Sequence, residues 1–182
     1  MKINIGAGLK RFDDFINIDS DVLTKPDYVV DIETENLPFE DNTVDEVIAH
    51  HILEHIGEGY FHVLQEIYRV CKHTAIINIV VPHHRNELWY SDPTHKRFIT
   101  VDSMRHFSKK WNDWCVRNFH SSSGFGNRLD IDLEMIDFEF IPSELWAPRL
   151  KQMSKEEIAE ISSNFNNVYY ETHMKLMVLK DA

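Results

Sequence analysis

The chain has 182 residues, 43% hydrophobic and 12% aromatic, which suits a single domain over 1–182 with one core, and it carries a formal charge of −11. That charge argues against a nucleic-acid backbone as the main partner, since such binders display basic surface to neutralise phosphates. Cys71 and Cys115 lie far apart without metal-type spacing, no stretch has the length of a membrane span, and the first residues read as a strand instead of a leader, so a soluble cytoplasmic protein with free thiols is expected.

Lys2-Ile-Asn-Ile5 is a short apolar strand that ends in Gly6-Ala7-Gly8, a pattern that lets backbone approach a ligand closely. Gly-x-Gly alone also serves ordinary turns. The next two predicted strands, Ile16-Asn-Ile-Asp19 and Tyr28-Val-Val-Asp31, each end in an acid. Gly, Asp and Asp at three successive strand ends put polar groups on one edge of a parallel sheet, where open α/β sheets bind ligands, and a carboxylate there suits two ribose hydroxyls. Only seven residues separate Gly8 from Ile16, too few for a crossover helix of three turns with its loops.

Glu40-Asp-Asn-Thr43 is turn chemistry that announces a fourth strand at 44–49. From Tyr60 to Cys71, Phe61, Leu64, Ile67, Tyr68 and Cys71 recur at three- and four-residue spacing, which predicts an amphipathic helix. The β-branched run Ala75 to Val81 reads as a strand buried at the sheet centre, stopped by Pro82. Beyond it, a short helix is predicted over 101–107 with Thr100 as N-cap, strands over 133–141 and 169–179, and between them a helix opened by the capping box Ser154-Lys-Glu-Glu157.

These blocks, in this order, resemble a class I S-adenosylmethionine-dependent methyltransferase of the small type 11/23-like kind with a trimmed N-terminus. The matching text is Asn4-Ile-Gly-Ala-Gly8, Ile16-Asn-Ile-Asp19, Asp31, Leu37-Pro-Phe-Glu-Asp-Asn-Thr-Val-Asp45, Glu46 to His55, and Glu66-Ile-Tyr-Arg-Val-Cys-Lys72, most of residues 2–82. The resemblance implies an α/β, Rossmann-like sheet, mostly parallel with an antiparallel strand near the C-terminus, helices on both faces and a shortened first crossover. Residues 2–82 would be the cofactor half and 83–182 the acceptor-side loops and last strands. S-adenosylmethionine, with S-adenosylhomocysteine as product, is the implied cofactor. Gly6, Ala7 and Gly8 would line its methionine portion, Asp19 the ribose, and Asp31 with Ile32 and Glu33 the adenine. His50 would lie near the amino-acid end, and Asn4 and His51 complete the set. The chain departs from the family at Lys10, where a third glycine is common, and at His73-Thr74, where a Gly-Gly is common.

Two histidine clusters suggest chemistry. His51-Ile-Leu-Glu-His55 fits the His-x-x-Glu-His zinc-hydrolase signature, in which both histidines share one helix face. That reading leaves Gly6, Gly8, Asp19 and Asp31 without a role, so no metal ligand is expected. Asp92-Pro-Thr-His95 lies beyond the fifth strand, where loops form the acceptor side, and His95 is a candidate base with His51 as the other. Either histidine could instead serve packing. Trp89, Tyr90, Trp111 and Trp114 read as core or as pocket walls, and Lys96, Arg97, Arg105, Lys109 and Lys110 as a solvated face or a receiver for an anionic acceptor. The expected reaction is methyl transfer to oxygen or nitrogen of a small molecule, sugar or anionic metabolite, the alternative being cofactor binding without catalysis. The trimmed first crossover also predicts apolar sheet surface covered by a lid from 89–125 or by a second subunit in a homodimer.

Overall fold

A computed structural model describes residues 1–180. The strands are β1 (Lys2–Ile5), β2 (Ile16–Asp19), β3 (Tyr28–Val29), β4 (Val44–His50), β5 (Cys71–Pro82), β6 (Leu133–Pro142) and β7 (Tyr169–Val178). They form one sheet in the order β3-β2-β1-β4-β5-β7-β6, parallel throughout except that β7 runs antiparallel to both neighbours. The helices are α1 (Tyr60–Val70), α2 (Glu87–Ser91), α3 (Val101–Arg105), α4 (Lys109–Arg117), α5 (Phe125–Leu129), α6 (Ala147–Leu150) and α7 (Lys155–Asn164). No helix among the described residues is long and apolar enough to cross a membrane.

The capping chemistry forms as the sequence reads. Thr100 and Ser103 make a reciprocal box at α3, and Ser154 and Glu157 make another at α7. The boundaries differ where backbone groups find nearer partners. β3 ends early because the chain after Val30 folds into a turn, Thr34 and Glu35 N–H both donating to the Asp31 carbonyl. β5 begins at Cys71, directly out of α1, so the expected helix end at Cys71 and the three residues expected as a connection are extended strand with a kink at Thr74 (φ 65°).

No helix stands between β1 and β2. A pair of buried asparagines takes its place: Asn4 Nδ2 donates to the Lys10 carbonyl and to Asn17 Oδ1, and Asn17 Nδ2 donates to the carbonyls of Phe12 and Phe15. Amides with both donors and acceptors can satisfy the carbonyls of an irregular loop, which would otherwise be costly to bury. The Asn in each Ile-Asn-Ile triplet is therefore the physical reason the short crossover is tolerated.

The sheet's two faces are unequal in character. By register, Ile3, Ile5, Ile18, Val47, Ala49, Ile77, Ile79, Met174 and Leu176 share one face, and all belong to the main core with Val63, Leu64 and Ile67 of α1 and Met104 and Phe107 around α3. The opposite face carries Asn4, Glu46, Ile48, His50, Asn78, Val80, His173 and Lys175, none of which joins that core. An open cavity of about 400 Å³ lies over it, between Phe12, His50, Asn78 and Lys175. The premise of an apolar surface is corrected, because charged and amide side chains interrupt this face. Residues 99–107 pack on the core face instead of covering the open one.

Candidate functional site

The ends of β1, β2 and β4 and the segment after β3 converge on one edge of the sheet. The start of β7 joins them, Glu171 pairing with Pro82. Gly6 sits there with φ +62°, and a Cβ built on it would meet Ile52 Cγ1 at 2.5 Å, so only glycine fits this turn without displacing the wall. Ala7 N–H donates to the Ile18 carbonyl at 3.0 Å and holds the loop against β2. Gly8 N–H donates to Asp19 Oδ2 at 2.7 Å, and Asp21 N–H donates to the other oxygen, Oδ1, at 2.8 Å. Asp19 thus fixes the glycine turn and keeps further lone pairs for a ligand's hydroxyls.

Two cavities meet at Gly6. One, of about 190 Å³, is bounded by Asp19, Asp31, Ile32, Glu33, Ile52 and His55. The other, of about 380 Å³, is bounded by Asn4, Ala7, Gly8, Phe12, His50 and His51. Every cofactor-binding residue expected from the sequence borders one or both. Three of those residues also have other duties. The Asn4 amide is spent on the crossover. Asp31 Oδ1 accepts from Glu33 N–H and Oδ2 from the Thr34 hydroxyl. Glu33 accepts from Gly57 and Gly59 N–H, and those bonds, the Gly57 one first, hold its carboxyl below the usual range.

The two histidines after β4 differ in charge. His50 is pushed down to about 4, mainly by burial, and is a neutral imidazole at pH 7. His51 has φ +53° and its pKa is raised, first by Glu54 and also by Glu171, whose Oε1 lies 3.0 Å from Nε2. Residues 51–56 form turns, not a helix, so the His51–His55 pair of the zinc-hydrolase signature does not share a helix face. His95 lines neither cavity, its ring lying against His55 and Nδ1 2.8 Å from the Trp89 carbonyl. Glu171, Ile52 and Glu54 escaped the sequence reading as parts of this edge. Glu171 had no signal beyond strand alternation, and Ile52 could be found only through the space a Cβ at Gly6 would need.

The aromatic and basic sets divide. Trp89 stacks on Phe98 at 3.7 Å beside His95. Trp111 and Trp114 stack on each other near Glu134 and Met135, at the far end of the sheet from Gly6. The cations have local partners: Lys96 with Glu33, Arg97 with the carbonyls of Ile56 and Gly57, Arg105 with Asp102, Lys109 with Asp130 and Lys110 with Glu134. Lys96 and Arg97 thereby pin the 92–98 loop to the wall of the smaller cavity.

Residues 11–79 match the family model described as a methyltransferase domain. No curated protein matches the sequence. A SAM-dependent methyltransferase structure from Archaeoglobus fulgidus is similar over 97% of this chain and 85% of its own, at 18% identity and TM-score 0.62. One from Methanosarcina mazei is similar over 99% and 92%, at 12% identity and TM-score 0.58. A third, from Thermotoga maritima and described as a possible histamine N-methyltransferase, is similar over 98% and 81%, at 11% identity and TM-score 0.55. At such identities the likeness is one of fold. Residues 11–79 thus match a methyltransferase domain, and nearly the whole chain has the fold of the S-adenosylmethionine-dependent methyltransferases to which it is similar.

Proposed function

We propose that the chain transfers a methyl group from S-adenosylmethionine to an oxygen or nitrogen of a small molecule or sugar. The observation that carries this reading is the pair of cavities joined at Gly6, one walled by Asp19 and Asp31 and the other by Gly8 and His50. The cofactor supplies an already activated methyl on a sulfonium. The residues then have to hold its nucleoside and amino-acid ends, leave Gly6 bare for close approach and align the acceptor. The neutral His50 adds no positive charge beside a sulfonium.

Asp19→Ala is expected to weaken S-adenosylhomocysteine binding by at least ~1 to 3 kcal/mol, because a charge-assisted acceptor for the ribose is lost and the Gly8 turn loosens with it. Titration calorimetry on the folded variant decides, and unchanged affinity would remove the assignment.

Of the two candidate bases, His51 is the better placed. It borders the larger cavity, and Glu171 orients Nε2, whereas His95 turns toward His55. His51→Ala is expected to lower conversion of S-adenosylmethionine to S-adenosylhomocysteine by ~10² or more across a panel of sugars, hydroxy acids and amines, with cofactor affinity little changed. A larger loss of turnover in His95→Ala would return the role to that residue. Cofactor binding by a chain inert toward every acceptor class would favour the binding-only alternative.

A further inference from the structure

Beside the smaller cavity, a group of side chains has more acceptors than donors. Glu54 is fully buried, and neither carboxylate oxygen has a hydrogen-bond partner among the described residues. His51 Nδ1 stands 3.4 Å from Oε1, without hydrogen-bond geometry. One oxygen of Glu54 and one ring nitrogen each of His55 and His95 lie within 4.8 Å of one another, and the two rings cross at 67° with centroids 4.6 Å apart.

The surrounding bonds settle the tautomers. His95 Nδ1 lies 2.8 Å from the Trp89 carbonyl, which can only accept, so Nδ1 carries the hydrogen. His55 Nδ1 lies 2.8 Å from Thr94 Oγ1, and that hydroxyl donates to Asp92 Oδ1 at 2.6 Å. With the hydroxyl hydrogen committed to Asp92, Thr94 accepts from His55, whose Nδ1 is therefore protonated as well. In the neutral form of each imidazole, Nε2 is then the nitrogen with a free lone pair. A buried carboxylate that makes no hydrogen bond and has only the His51 ring at 3.4 Å as counter-charge, with a ring nitrogen of each of two further histidines within 4.8 Å, can hold a cation, and a carbonyl or hydroxyl bonded to one ring nitrogen is how metal-ligating histidines are commonly oriented.

We propose that Glu54, His55 and His95 bind a single divalent first-row transition-metal ion, Zn²⁺ foremost, which ties the Asp92–Arg97 loop to the turn after β4. Two imidazole nitrogens and one carboxylate oxygen suit that class better than Mg²⁺ or Ca²⁺, which prefer all-oxygen sets. The ligand set differs from the His-x-x-Glu-His signature, because His51 is replaced by His95 from a loop about forty residues on, and the site needs no shared helix face. It stands independently of the methyl-transfer reading. His55 also borders the cavity that holds Asp19 and Asp31, so the ion would brace that wall.

The test uses the full chain, stripped with chelator and dialysed against ZnCl₂ or CoCl₂. One ion per chain is expected by elemental analysis, with the visible absorption of Co²⁺ bound to nitrogen and oxygen ligands. Glu54→Gln and His95→Ala should each weaken binding by on the order of a hundredfold, and Thr94→Ala, which only orients His55, by about tenfold. His173→Ala should leave it intact, separating this site from the neighbouring His51–Glu171–His173 group. Should Glu54→Gln fail to fold, the half-exposed His95 decides. Less than a tenth of an equivalent bound, or binding that survives His95→Ala but not His173→Ala, overturns the proposal.

Discussion

Gly6→Ala is expected to abolish measurable S-adenosylhomocysteine binding and to lower the melting temperature. Two independent costs meet at this residue. The backbone is left-handed, φ +62°, which costs a residue with a Cβ about 1 to 2 kcal/mol. The added methyl would also overlap Ile52, with Cγ1 at 2.5 Å, Cβ at 2.7 Å and Cδ1 at 2.7 Å, an overpacking worth ~1 to 3 kcal/mol. Either the glycine turn or Ile52 must move, and both line the cavity beside Asp19. A loss of at least ~2 kcal/mol in affinity, about thirtyfold, is the minimum consistent with that displacement. The double variant Gly6→Ala/Ile52→Ala should recover part of the melting temperature, since the overlaps with Cγ1 and Cδ1 vanish while the contact with Cβ and the conformational cost remain. Wild-type affinity and melting in Gly6→Ala would show that the turn has slack, and the close-approach argument would fall. Gly8 is a useful contrast: it also has positive φ, +51°, but a Cβ there would meet nothing within 4 Å, so Gly8→Ala should show the conformational cost alone.

The gathering of the candidate residues at one sheet edge was legible in the sequence because those residues are set by local rules. A strand must end before it can turn, and Gly6, Asp19, Asp31 and His50 sit at or just beyond strand ends that apolar triplets mark out. The short first crossover was legible for the same reason, since seven residues cannot hold a helix of several turns. What filled its place was not. The Asn4–Asn17 pair crosses thirteen positions of sequence, and nothing in either triplet says that one amide will face the other until β1 and β2 are placed side by side in parallel register. Asn4 was read as part of a ligand wall for that reason, although its amide serves the loop.

The region beyond β5 was less legible, because side-chain direction there depends on how distant loops dock. His95 and His51 were equal candidates by residue type. Only the Trp89 carbonyl and the Glu171 carboxylate, reached through the tertiary fold, distinguish them. The tryptophans show the same limit. Trp89 and Trp111 read alike as aromatic residues of an irregular stretch, yet α3 and α4 carry Trp111 to the opposite end of the sheet. The inequality of the two sheet faces follows from the missing crossover helix, but its polar character comes from Glu46, Asn78, His173 and Lys175, which alternation along β4, β5 and β7 directs to one side.

Glu66→Ala is expected to be the most destabilising single change outside the apolar core, by about 2 to 4 kcal/mol. Glu66 lies on α1 and is buried, with Oε2 accepting from Leu37 N–H at 2.8 Å and both oxygens bound to Arg69 at 2.8 Å. Arg69 in turn donates to the carbonyls of Leu37 and Phe39 and to Asp41. One ion pair thus fastens the whole Leu37–Asp41 segment, the lead-in to β4, onto the helix that covers the core. Truncation leaves a buried N–H without its acceptor and a guanidinium without its main counter-charge, and those are costs of unpaired groups, not merely of a lost contact. Glu66→Gln keeps an acceptor for Leu37 and loses the charge, so it should cost less. The pH dependence follows from the same geometry: Arg69 first, then the Leu37 N–H, hold the Glu66 carboxyl below its ordinary value of 4.5 against the opposing effect of burial. A depressed carboxyl contributes stability that is present above the unfolded value and is lost as pH falls through the folded one. The gap in melting temperature between wild type and Glu66→Gln should therefore be full at pH 6 to 7 and close as the solution is acidified below about 4.5. A gap that stays constant through that range would mean the charge of Glu66 contributes nothing, leaving only the shape of the clamp to hold the segment.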